Sequence, residues 1–143
     1  MLIAITPLYG RGDLAEMLEA EQAQIEETVA DLSEEQLRWR PNPRAKSALD
    51  ILWHLAYDRE TRSPRPAGKA EALANLRADY AALLALIRTP AKLEETLTWW
   101  NGEQVNRRAI VLGAIRHRAY HLGELVYLRQ AQGLDEPRYY HET

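Results

Sequence analysis

The chain contains no cysteine. That absence removes disulfide bonds, thiolate metal ligands and a nucleophilic protein thiol from its chemistry, and it agrees with a reducing compartment. Long apolar runs are missing too. No segment approaches the roughly 18 consecutive apolar residues of a membrane span, and Met1-Leu-Ile-Ala-Ile-Thr-Pro7 lacks the basic region and longer apolar stretch of a secretory signal. Charge of one sign is scarce as well. The net charge is −3, lysine occurs only at positions 46, 69 and 92, and the arginines are scattered among Asp and Glu, so the basic stripe of a nucleic-acid binder is not there. Internal repeats and low-complexity tracts are likewise missing. These absences predict one cytoplasmic domain over residues 1–143, long enough to bury an apolar core without staples. Its expected partners are small molecules rather than nucleic acid or membrane.

What the chain has instead is helical periodicity in four long segments. The first is predicted from Asp13, an N-cap, to Leu32, with Leu14, Leu18, Ile25, Val29 and Leu32 on one face; Ser33-Glu-Glu-Gln36 and Trp39-Arg-Pro-Asn-Pro43 end it. The second opens on Ser47-Ala-Leu-Asp50, where hydroxyl and carboxylate cap each other's amides, and runs to about Thr61 before Ser63-Pro-Arg-Pro66. The third spans Lys69 to Arg88 with a stripe of Leu73, Leu76, Tyr80, Leu83, Leu84 and Ile87. Asn101-Gly102 between Thr- and Trp-rich flanks predicts a short hairpin or tight turn. The fourth helix begins near Asn106 and ends before Gly133. Four such helices argue for an all-α four-helix bundle, a fold whose core commonly holds metal ligands on facing helices.

The chemistry lies in the histidines. His117 and His121 stand one turn apart in Arg116-His-Arg-Ala-Tyr-His-Leu-Gly-Glu124, so both rings leave the same side of a helix about 6 Å apart along its axis. A 100° step groups them with Ile110, Ala114, Leu125 and Leu128 in an apolar stripe. Two unpaired imidazoles there would cost a few kcal/mol on the order of polar-group burial, so a metal ion or hydrogen-bonding carbonyls and carboxylates must satisfy them. His54, in Ile51-Leu-Trp-His-Leu-Ala-Tyr-Asp58, lies on the narrow polar strip of the second helix with Ser47, Asp50, Asp58 and Thr61, facing either solvent or a polar pocket. Glu21 interrupts the apolar face of the first helix between Leu18 and Ile25, so burial with a partner is expected, a ligating imidazole N–H being the nearest chemical match. Asp58, one turn beyond His54, reads as an acceptor for an imidazole N–H or a solvated charge before a fourth ligand, and with Glu21 it is a candidate general base; Glu124, one turn past His121, is a similar acceptor or a surface residue. His141 falls outside the pattern.

Trp39-Arg-Pro-Asn-Pro followed by Lys46-Ser-Ala-Leu-Asp-Ile-Leu-Trp-His-Leu55, and then Ala114-Ile-Arg-His-Arg-Ala-Tyr-His-Leu-Gly-Glu-Leu-Val-Tyr-Leu-Arg-Gln-Ala-Gln-Gly133, resembles the DinB-like, or YfiT-like, superfamily of metal-dependent enzymes. The resemblance implies a four-helix bundle, usually homodimeric, binding a divalent ion such as nickel or zinc through His54, His117 and His121. It further implies an open position on that ion that activates water for hydrolysis or a low-molecular-weight thiol for transfer, as in S-transferases and a thiol-using maleylpyruvate isomerase of that superfamily. A bundle that binds metal or a small ligand without turnover, in a stress response, is the alternative. This chain is short between its second and third helices, where longer members carry additional elements. A second apolar sector on the fourth helix, Leu112, Ile115, Leu122 and Val126, also points to a homodimer.

Overall fold

The computed structural model describes residues 13–138; Met1–Pro7 and His141 lie outside them. Helix α1 covers Leu14–Ala30, with the Asp13 carboxylate accepting from Glu16 N at 2.8 Å. The polar Ser33-Glu-Glu-Gln36 stretch not only ends α1 but starts a short helix α2, Glu34–Arg38, through a reciprocal cap between Ser33 and Gln36. Helix α3 is Ala48–Leu55, α4 is Lys69–Ile87 and α5 is the single turn Pro90–Leu93. Strands β1, Thr96–Thr98, and β2, Gln104–Asn106, pair antiparallel as the expected hairpin, with Leu97 opposite Val105. Gly102 takes φ +85 in its turn, a conformation that favours glycine. Helix α6, Arg107–Ala131, follows directly, with Asn106 as N-cap.

Four helices build the bundle. α1 packs on α6 and α4, and α3 packs on α4 and α6, so α3 and α1 stand at opposite corners. The apolar interior is in two parts. Ile25, Val29, Leu37, Leu52, Leu76, Leu122 and Leu125 fill the larger one, while Leu18, Leu93, Val111 and Ile115 form the smaller, flanked by Tyr80, Leu83, Leu84 and Ile87 of α4. On α6 the two parts are separated at Arg118. Its guanidinium is buried to 2 % exposure and donates to Gln22 Oε1 at 2.8 Å and Asp79 Oδ2 at 2.7 Å. A polar layer thus crosses the bundle at the height of the two α6 histidines.

One boundary differs from expectation. The second helix stops at Leu55 instead of Thr61, and Asp58 is therefore in a turn, not one helical turn beyond His54. The reason is local: Asp58 N donates to Ser63 Oγ at 2.9 Å, Glu60 N donates to Asp58 Oδ1 at 2.8 Å, and Ser63 N returns to Asp58 O at 3.2 Å. Side chains of Asp and Ser offer the backbone partners that a helix would otherwise provide.

Candidate metal centre

α3 ends at the histidine it carries. His54 sits in the last turn, and that turn is aimed by the other end of the helix. There Asp50 accepts from Ser47 N at 2.9 Å, accepts from Arg40 at 2.7 Å and pairs with Arg65. Periodicity assigned Asp50 to the cap alone; two ion pairs are added to it. Facing α3, α6 supplies His117 and His121 from consecutive turns.

The three rings converge. His117 Nε2 is 3.0 Å from His54 Nε2 and 3.0 Å from His121 Nε2, and all three ring nitrogens lie within 4.8 Å of one another. The planes meet edge to face, with centroids 4.5 to 4.9 Å apart. Neutral tautomers satisfy this arrangement poorly, because His117 Nε2 faces two nitrogens and offers either a single proton or a single lone pair. Three lone pairs pointed at one centre are the donor set of a divalent cation, and three imidazoles are a familiar zinc ligand set with one position open. The residues present therefore fit a metal ion. Among the described residues, these three histidines are the metal-capable cluster, and neither Glu21 nor Asp58 is part of it.

Protonation favours the same use. Burial pushes the His54 imidazole below its ordinary pKa, and the charges of Lys46, His121 and His117 push it further. Burial also lowers His121, against an opposing pull from Glu124. Both rings are held neutral, the form that binds metal. The Glu124 Oε1 atom is 3.0 Å from His121 Nδ1, off the line of an ideal hydrogen bond. A carboxylate at Nδ1 keeps the proton on that nitrogen and leaves Nε2 free to face the cluster.

Glu21 is buried, at 8 % exposure, as its place on the apolar face of α1 predicts. Burial raises its pKa to about 8, with Arg118 pulling the other way, and its Oε2 has no hydrogen-bond partner. Among the described residues, the carboxylate within ion-pair distance of a histidine is that of Glu124. Asp58 is exposed in its turn and bonded to Glu60 N.

The face of α6 that enters the core matches the expected one only in part. Its buried seam is Val111, Ile115, Arg118, Leu122, Leu125 and Arg129, with spacings of four and three. The histidine stripe enters the core at its C-terminal end, where His121, Leu125 and Leu128 are buried, and runs along the margin at its N-terminal end, where Ala114 and Ile110 are half-buried and His117 is exposed. Arg118 hides this seam from the sequence pattern, since a charged residue does not announce a core position. The consequence is useful to the site, because a cluster on the margin is open to solvent through His54 and His117. Ile115, Leu122 and Val126 are buried within this one chain, leaving only Leu112 of that sector exposed.

Sequence reasoning missed the wall beside His54. A cleft of about 410 Å³ opens there, and Arg40, Arg44, Lys46 and Arg65 line it with Trp53 and Tyr57. The signal was the Arg40-Pro-Asn-Pro-Arg44 run and Lys46 ahead of the Ser47 cap, each next to the helix that carries His54.

A bundle of these helices with three histidines converging from α3 and α6 defines a class, and the family comparison agrees with it. The chain belongs to the DinB superfamily, whose family model matches residues 17–57 and 56–125. No curated protein and no solved structure gives a match. Among the described residues, no helix is long and apolar enough to cross a membrane.

Proposed function

We propose that the protein is a metal-dependent enzyme, a hydrolase or a low-molecular-weight-thiol S-transferase, using nickel or zinc held by His54, His117 and His121. The observation that carries this reading is the meeting of three Nε2 atoms at one point on a solvent-open margin of the bundle. A divalent ion bound there supplies Lewis acidity, lowering the pKa of a water or thiol in the position the histidines leave open. The chain does the rest. Glu124 orients His121 from Nδ1, and the rigid packing of α3 on α6 fixes the angle of approach. Glu21, whose carboxyl pKa is pushed by burial up to about 8, is proposed as a proton store set outside the histidine cluster. Asp58, in the turn that follows α3, is a second candidate for the same task. Since the chain lacks cysteine, a thiol substrate comes from solution.

The test is metal binding followed by activity. Isothermal titration of metal-free protein with nickel and zinc is expected to give one ion per chain, and the loaded protein to turn over activated esters or thiol-acceptor pairs. Failure to bind either ion discards the reading; binding without turnover on a broad panel favours a metal-binding bundle with no catalytic role.

We also propose a homodimer. The support is a set of exposed apolar side chains on α6 and the hairpin, Leu112, Tyr120, Tyr127, Trp99 and Trp100, the last with 79 % exposure. Light scattering at tens of micromolar is expected to return twice the 16.4 kDa chain mass, and a monomer there counts against it.

A further inference from the structure

The cleft beside His54 has a charge that the protein as a whole does not. The chain carries a net charge of −3, yet this wall brings together four cations, Arg40, Arg44, Lys46 and Arg65, with one carboxylate, Asp50. Asp50 is nearly buried and fully committed: its two oxygens hold Arg40 and Arg65 and the Ser47 amide. Among the described residues, no carboxylate pairs with the side chain of Arg44 or Lys46. Lys46 is close enough to the centre for its ammonium to act on both His54 and His121. The remaining wall is aromatic. Trp53 lies under the Arg65 guanidinium, 4.9 Å from the ring centroid, and meets Tyr57 edge to face at 5.6 Å.

A solvated surface gains nothing from crowding like charges into a concavity, where the low-dielectric walls strengthen their repulsion. An anion removes that repulsion. The volume also lies within the range of small-molecule pockets, about 300 to 1,000 Å³. We infer that this cleft holds the anionic end of the substrate, a carboxylate, phosphate or sulfonate gripped by Lys46 and Arg44, with a flat apolar portion against Trp53 and Tyr57 and the reacting group directed at the three histidines. This names a substrate class for the metal centre and rests on reading that centre as the site of reaction. Arg40 and Arg65, tied to Asp50, set the shape and field of the wall. Lys46 and Arg44 are the binding groups.

The experiment uses phenyl phosphate and its neutral counterpart benzyl alcohol, titrated into metal-free and zinc-loaded full-length protein while the Trp53 indole signal is followed by NMR. Phenyl phosphate is expected to bind both forms at least about tenfold more tightly than benzyl alcohol, the size of effect expected of charge-assisted hydrogen bonds. A double variant, Arg44→Gln with Lys46→Gln, is expected to lose that preference while keeping its helical circular dichroism and still binding zinc, because both side chains are exposed and neither ligates. Equal affinity for the two probes, or an unchanged double variant, overturns the inference. So does phenyl phosphate binding that needs zinc, which would mean that the ion alone attracts it. The underlying reading fails differently: a wild-type protein that takes no zinc but still binds phenyl phosphate through Arg44 and Lys46 keeps the anion cleft and loses the reaction centre.

Discussion

His117 Nε2 stands between the Nε2 atoms of its two partners, 3.0 Å from each. Its side chain is exposed, so removing it takes little from the core. His117→Ala is expected to lower zinc or nickel affinity by more than about 100-fold, above the range of outer partners, with little change in thermal stability of the metal-free protein. Glu124→Gln removes only a group that orients His121, and a loss of about tenfold is expected. Titration calorimetry on both variants checks the ranking. Glu21 makes a separate prediction. Its pKa is about 8 in the folded chain against an ordinary 4.5, so between those values the unfolded chain gives up a proton that the folded chain keeps, and stability falls as pH rises. Glu21→Gln abolishes that slope. Urea unfolding is expected to show the variant gaining on the wild type by a few kcal/mol on the order of the linkage term between pH 5 and pH 8; parallel curves would mean that Glu21 ionises normally. At this scale the sequence was most legible where residues are neighbours on one helix. His117 and His121 follow from spacing alone, whereas His54 needed the family motif, and no periodicity could tell whether Glu21 or Glu124 reaches an imidazole, because that depends on how α1 and α6 rotate against α3.

Helix α3 shows how much rests on a single carboxylate. It has only eight residues, shorter than an isolated helix needs to persist, and its hold on position comes from Asp50 at one end and packing on α4 and α6 along its side. Asp50→Ala deletes the reciprocal cap and strands two arginines. It is expected to destabilise the protein by about 1 to 3 kcal/mol, and to weaken metal binding through a looser His54 while His117 and His121 remain in place. A variant with normal unfolding and normal metal affinity would show that packing alone places α3. The Ser47 cap, the Asn106 start and the Gly133 stop were readable because capping is chemistry within four residues. The end of α3 was not, since Asp58 and Ser63 compete for the backbone through a turn that no helical pattern encodes. Nor was the core seam of α6 readable, because two of its six positions are arginines, Arg118 and Arg129, satisfied by Gln22, Asp79 and Asp31 from other parts of the chain.

His54 and His117 are 63 residues apart in the chain, and α4, α5 and the hairpin all lie in the interval. An ion that grips both therefore spans a long covalent loop in a molecule that has no other cross-link. In the unfolded chain, the local pair His117 and His121 stays available, but recruiting His54 means closing that loop at an entropic cost of about 4 kcal/mol, close to 1,000-fold in affinity. A divalent ion held there would be a removable staple that recognises the folded chain. Unfolding of the loaded chain then releases the ion: cobalt absorption in the visible and far-ultraviolet circular dichroism are expected to disappear at the same denaturant concentration, one higher than the midpoint of the metal-free protein.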